Sequence, residues 1–169
     1  STGINNTAVG YHSLTDNTTA NNNTAIGFQT LATNTTGTQN TAVGRNALNA
    51  NTTADNNTGV GFASVQANTT GSENTGLGHN SLADNTTGSS NTGIGQGALL
   101  NNTTASNNTA VGKSALQVNT TGHSNTAVGA DSQDANITIQ QLVIIQLLVI
   151  KLYLQTLQVL KILLLVDYP

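Results

Sequence analysis

Cysteine, methionine and tryptophan are missing from this sequence, proline occurs once, and charged residues are scarce at 7%. Each shortage closes off a class of protein. Without cysteine there is no disulfide framework and no thiolate metal site, although the compartment stays open, since surface proteins can lack disulfides too. With charge at 7% and aromatics at 3%, an ordinary globular core inside a charged shell is not what the chain encodes. Nor does it resemble most disordered chains, which stay open through high net charge. The formal net charge of −3 has no basic patch behind it, because Arg45, Lys113, Lys151 and Lys161 are scattered, and this sets nucleic-acid binding aside. Lacking a start methionine, the chain is expected to be an internal stretch of something longer, with any signal peptide or membrane anchor elsewhere.

What is present is a repeat. A marker glycine recurs at Gly10, Gly27, Gly44, Gly61, Gly78, Gly95, Gly112 and Gly129 with no insertion or deletion, and a fixed period of this size means a stacked array. Before each marker come Asn-Thr, then Ala or Gly, then an aliphatic residue: Val9, Ile26, Val43, Val60, Leu77, Ile94, Val111, Val128. β-Branched residues flanked by small ones and closed by glycine predict a short strand ending in a turn. Four residues past the marker runs a second aliphatic column, Leu14, Leu31, Leu48, Val65, Leu82, Leu99, Leu116, which is expected on a second strand. Asn-Thr-Thr then recurs at Asn17, Asn34, Asn51, Asn68, Asn85, Asn102 and Asn119 as turn chemistry. Stacking such units at the strand spacing of roughly 4.8 Å predicts an all-β, parallel β-solenoid of about eight coils, each strand, turn, strand, turn. Both aliphatic columns are expected inside, as the structural core. The variable residues after the marker, Tyr11, Phe28, Arg45, Phe62, His79, Gln96 and Lys113, are expected in solvent.

Such a core is thin. Two large aliphatics contribute about 1.5 to 3 kcal/mol each, against roughly 1 to 2 kcal/mol of backbone entropy for every ordered residue of the coil. Ladder hydrogen bonds help, and a partner chain is expected as well; the small Ala and Gly columns suit a homotrimer with a shared core.

No catalytic constellation emerges. His12, His79 and His123 fall in different columns and make no metal-binding row. Asp16 and Asp84 share a column four coils apart, while Asp55 and Glu73 lie elsewhere, so paired carboxylates are not expected. The run from Gly93 to Gly97 lacks the helix and Lys-Ser/Thr of a phosphate loop. Each Asn-Thr-Thr is a formal glycosylation acceptor, but the turn explains its recurrence. The sequence therefore predicts no enzyme, no metal and no cofactor. Two functional classes remain: a structural and adhesive rod binding weakly and multivalently through its variable columns, and an ice-binding solenoid using a Thr ladder such as Thr18, Thr35, Thr52, Thr69, Thr86, Thr103 and Thr120.

The Asn-Thr-Ala-Val-Gly strand, the small and aliphatic columns, the period in the teens and the absence of Cys together resemble the head repeats of YadA-type trimeric autotransporter adhesins, over Asn6 to Gly129. The Val-Gly or Ile-Gly marker and alanines such as Ala8 and Ala25 carry the likeness, whereas the Asn-Thr-Thr turn is an addition and Thr stands where that strand has another aliphatic. The resemblance implies a left-handed β-roll in a trimeric, extracellular rod on a bacterial outer membrane, attaching to host matrix or other cells. It implies membrane contact only through a part of the protein not present here. Similar repeats also suit phage tail fibres.

The solenoid domain is expected over residues 1–136. From about Ile137 to Pro169 the composition changes to a Leu- and Ile-rich run, nearly long enough for a transmembrane helix but broken by Gln146, Lys151, Gln155, Gln158 and Lys161, and without a clean heptad for a coiled-coil stalk. The period survives inside it, since Leu147-Leu148-Val149 returns as Leu164-Leu165-Val166. Read one nucleotide early, with synonymous codons chosen, Leu148-Val149 gives glycine, and the stretch to Val166 gives G-Y-K-A-L-S-T-N-T-T-G-S-K-N-T-A-I-G. The tail is therefore expected to be the repeat itself, displaced by a small insertion or deletion near codon 137.

Overall fold

The computed structural model describes residues 1–133 and, beyond them, Lys151, Tyr153 and Gln155, which are helical and exposed. Contacts divide the chain into two units, Ser1–Asn136 and Ile137–Pro169. The expectations for the tail's own role lie outside the described residues.

The first unit is a parallel β-solenoid. Each coil contributes one three-residue strand: β1 Thr7–Val9, β2 Thr24–Ile26, β3 Thr41–Val43, β4 Thr58–Val60, β5 Thr75–Leu77, β6 Thr92–Ile94, β7 Thr109–Val111 and β8 Thr126–Val128. They form one sheet in chain order, all parallel, and like pairs with like: Thr7 with Thr24, Ala8 with Ala25, Val9 with Ile26, and so on to Val111 with Val128. The marker glycines close each strand for two reasons. Their φ lies near +130°, as at Gly61 (φ 133), and a Cβ added at Gly44 would sit 2.5 Å from the carbonyl oxygen of Gly61 in the next coil.

Among the described residues the coils have no second strand. Where one was expected, alternate residues take left-handed backbone angles, for example Gln29 (φ 52) and Leu31 (φ 46), and the whole Leu14 column does so, including the β-branched Val65 (φ 53). Alternating hands turn successive peptide groups along the stack, so the inter-coil ladder persists without β geometry. Gln29 N donates to Tyr11 O below (2.9 Å) and Leu31 N to Ala47 O above (3.2 Å).

The two aliphatic columns part company. Leu31, Leu48, Val65, Leu82, Leu99 and Leu116 are buried, and Leu14 is partly buried against them. The other column is not in the core: Val9, Ile26, Leu77 and Val128 are 57%, 39%, 46% and 72% exposed, and Val43, Val60, Ile94 and Val111 are half-buried. Strand alternation puts Thr and the aliphatic on one face and the small residue on the other, and the interior is too narrow for anything larger. A Cβ at Gly59 would already lie 3.2 Å from Leu48 Cγ, and one at Gly93 3.3 Å from Leu82 Cγ. Ala25, Ala42, Ala110 and Ala127 therefore fill the inward row.

The buried polar part of the core is mostly amide, with hydroxyls at Thr30, Ser64 and Ser81. Asn23, Asn40, Asn57, Asn74, Asn91 and Asn108 are buried, and each Oδ1 accepts the backbone N–H of its counterpart one coil on, as in Asn40 N to Asn23 Oδ1 (2.9 Å). In the second row Asn68 Nδ2 donates both to Gly71 O (2.8 Å) and to Asn51 Oδ1 (3.0 Å), and Asn85 Nδ2 donates in turn to Asn68 Oδ1 (2.9 Å). These Asn-Thr-Thr asparagines were expected to act as turn formers; they are also rungs. A carboxamide can donate twice while accepting, where a hydroxyl donates once and a carboxylate only accepts, so it satisfies both its own coil and the neighbouring ones.

Candidate functional site

With its interior filled, the solenoid can act only through the rows it shows to solvent. On the strand face two rows run in register the length of the array, the strand threonines Thr7, Thr24, Thr41, Thr58, Thr75, Thr92, Thr109 and Thr126 and the aliphatic row beginning at Val9. No charged residue occurs in any of the eight strands. A continuous, uncharged aliphatic row left half-exposed is the kind of surface that marks an interaction site.

Across the marker glycines lies the variable row, and it is exposed as expected. It is also ordered. Tyr11 stacks on Phe28 (centroids 5.5 Å apart), the Arg45 guanidinium lies between Phe28 (5.5 Å) and Phe62 (5.7 Å), and Phe62 stacks on His79 (5.2 Å). Parallel coils at strand spacing bring these planar groups face to face along the rod, so their faces are spent on one another and their edges meet solvent. The sequence carried the signal, planar side chains one period apart, but six different residue types over the seven positions from Tyr11 to Lys113 concealed it.

The other candidates disperse. His12 Nδ1 is near Thr15 Oγ1 (3.3 Å), His79 belongs to the stack, and among the described residues no group of three His, Cys, Asp or Glu could hold a metal. Asp55 accepts from Thr38 N (2.6 Å) and Thr38 Oγ1 (3.0 Å), and Glu73 accepts from Ser90 Oγ (3.0 Å); both carboxylates tie one coil to its neighbour. Gly93 lies in β6, with the inward small row, and Gly95 is a marker, so the glycine run is a piece of the scaffold. The formal sequon asparagines from Asn34 to Asn119 are buried in their ladder.

The Thr18 row is not a free hydroxyl array. Thr18 Oγ1 donates to Thr35 O (2.8 Å), Thr35 Oγ1 to Thr52 O (3.0 Å), and the pattern continues to Thr103 and Thr120 (3.2 Å). Those hydroxyls hold the corner of the stack together. Among the described residues no helix is long and apolar enough to cross a membrane. No protein-family model, no curated protein and no solved structure matches the chain.

Proposed function

We propose that this chain is a segment of a structural, adhesive rod that assembles as a homotrimer through its aliphatic row and displays its variable row to an extracellular-matrix or cell-surface ligand. The observation that carries the reading is the row from Val9 to Val128, half-exposed on an uncharged strand face over a narrow core of Leu, Ala and Asn. Covering the exposed part of each Val, Ile or Leu contributes on the order of 1 kcal/mol per coil, so the tendency to associate grows with the number of coils. An extracellular setting, on a cell or on a phage fibre, suits a long polar rod without a catalytic centre. Surface plasmon resonance against immobilised matrix proteins tests the adhesive half of the proposal. Weak binding that strengthens with the density of rods supports it, and no binding to any matrix or cell surface at high rod density removes it.

A second reading, ice binding, has one observation in its favour. The strand threonines lie on the flattest backbone of the coil, and their hydroxyls have no protein partner among the described residues, unlike those of the Thr18 row. Thermal hysteresis in solution supports this reading, and its absence leaves the rod.

A further inference from the structure

Arrays of this kind finish in an atypical capping coil; Asn125-Thr126-Ala127-Val128-Gly129 repeats the interior strands Asn40–Gly44 and Asn108–Gly112 residue for residue, and the first departure comes after it, where Gln133 stands in the Leu column. A Cβ at Gly112 would strike the Gly129 carbonyl carbon at 2.5 Å, but one at Gly129 would meet nothing closer than Ser132 Cβ at 3.9 Å, so among the described residues no coil sits over it. Below, the amide ladder runs unbroken from Asn34 to Asn119; at Asn119 the last Oδ1 is buried with no hydrogen-bond partner among the described residues. The next rung requires a carboxamide one period on, and Asn136 is there in the sequence, after which the pattern stops.

We infer that the surface over β8 is an interaction surface for another coil of this same repeat, and that the coding stretch behind Ile137 to Val166 is that coil and its successor in a neighbouring frame. Reading one nucleotide early from Thr138, synonymous codons give N-T-T-A-S-N-N-T-A-I-G. This differs from Asn102–Gly112, N-T-T-A-S-N-N-T-A-V-G, only by Ile in place of Val111. Each shifted residue meets the row that accepts it: Asn the amide ladders, Ala the inward row, Ile the outward row and Gly the marker. A second full coil follows, ending at the glycine spelled by Leu165-Val166.

The strict register of the sheet also measures the displacement. One coil is seventeen codons, as every strand pairing shows. From the Gly129 codon to the shifted glycine at Leu148-Val149 there are seventeen codons and eight further nucleotides. The codons of Asn136 to Gln141 can be written AAT-ATA-ACA-ATA-CAA-CAG, in which AATATAAC is followed directly by AATACAAC, two octets differing at one base. A slipped duplication of eight nucleotides within an Asn-Thr-Thr stretch accounts for both the frame and the spacing. The apolar run is then a by-product of the shift, with no anchoring or stalk role of its own.

The coding DNA tests this directly. The inference expects the paired octets, an Ile145 codon ending in A and a Leu148 codon ending in G; codons that do not spell the repeat from Thr138 to Val166 overturn it and leave the run as a candidate membrane-associated segment. A second arm compares the chain as it stands with one from which the octet has been deleted. The restored protein is expected to show two more coils of slow-exchanging amides and a higher unfolding midpoint. An equal or lower midpoint overturns the assignment of β8 as a coil-accepting surface.

Discussion

Replacing Leu82 by alanine isolates the packing on which the core rests. Leu82 is fully buried, its Cγ lies 3.3 Å from where a Cβ of Gly93 would be, and its backbone N–H donates to Ala98 O (2.9 Å). Alanine keeps that hydrogen bond and the left-handed backbone (φ 53), so only side-chain atoms are lost. Core Leu→Ala changes cost about 2 to 5 kcal/mol, more where the site cannot collapse. Here the wall opposite is glycine, with no side chain to move in, so the expected loss is about 3 to 5 kcal/mol. Val60→Ala, on the outward row, is expected to cost about 1 kcal/mol or less in dilute solution, and more as association sets in. Urea unfolding followed by far-UV circular dichroism gives both numbers, and coil-resolved hydrogen exchange should show the Leu82 variant loosening around its own coil. A dilute-solution loss for Val60→Ala as large as that for Leu82→Ala would refute the assignment of the two rows.

Three further outcomes follow from the same geometry. Gly76→Ala places a Cβ 2.5 Å from Ser64 Oγ and 2.6 Å from Val65 Cγ2 and should destabilise by about 1 to 3 kcal/mol, while Gly93→Ala, whose closest approach is 3.1 Å, should be near neutral; thermal unfolding of the pair checks this. Asn68→Ala orphans Asn51 Oδ1 and Gly71 O and removes one of the two acceptors of Asn85 Nδ2, which keeps Gly88 O; it should cost several kcal/mol in urea, at about 1 to 3 kcal/mol for each buried group left unpaired. Ala63→Gly relieves a left-handed alanine (φ 53) at a position where Gly97 already serves one row-mate, and should raise the unfolding midpoint slightly despite the extra chain entropy.

The period, the strand, the marker glycines and the buried Leu column could all be read from the sequence, because a stack forces chemically similar residues into one row. The direction of the strand could not. Thr-Ala-Val alternation says that Thr and Val share a face, not which face is inside, and hydrophobicity favours the wrong one; the choice is made by Leu48 and Leu82 reaching across to glycine. The missing second strand had no signal either, since left-handed Leu and Val run against ordinary backbone preference. The Asn rungs were visible as a constant residue type where a turn alone tolerates Asp or Ser equally well. The planar stack from Tyr11 to His79 was visible only once the rows were known to be in register. Of the candidate surfaces, the variable row stood out in sequence, while the aliphatic row was hidden by its assignment to the core.

The most direct test of a rod assembled through its aliphatic row is sedimentation equilibrium of the chain beside a variant carrying Val43→Lys, Val60→Lys and Val111→Lys. Each of these side chains is half-buried and outward, so lysine can reach solvent without entering the core. A three-chain mass is expected for the parent and a single-chain mass for the variant, with the same circular dichroism spectrum in both. A parent that sediments as a single chain, or a variant that stays trimeric, would contradict it.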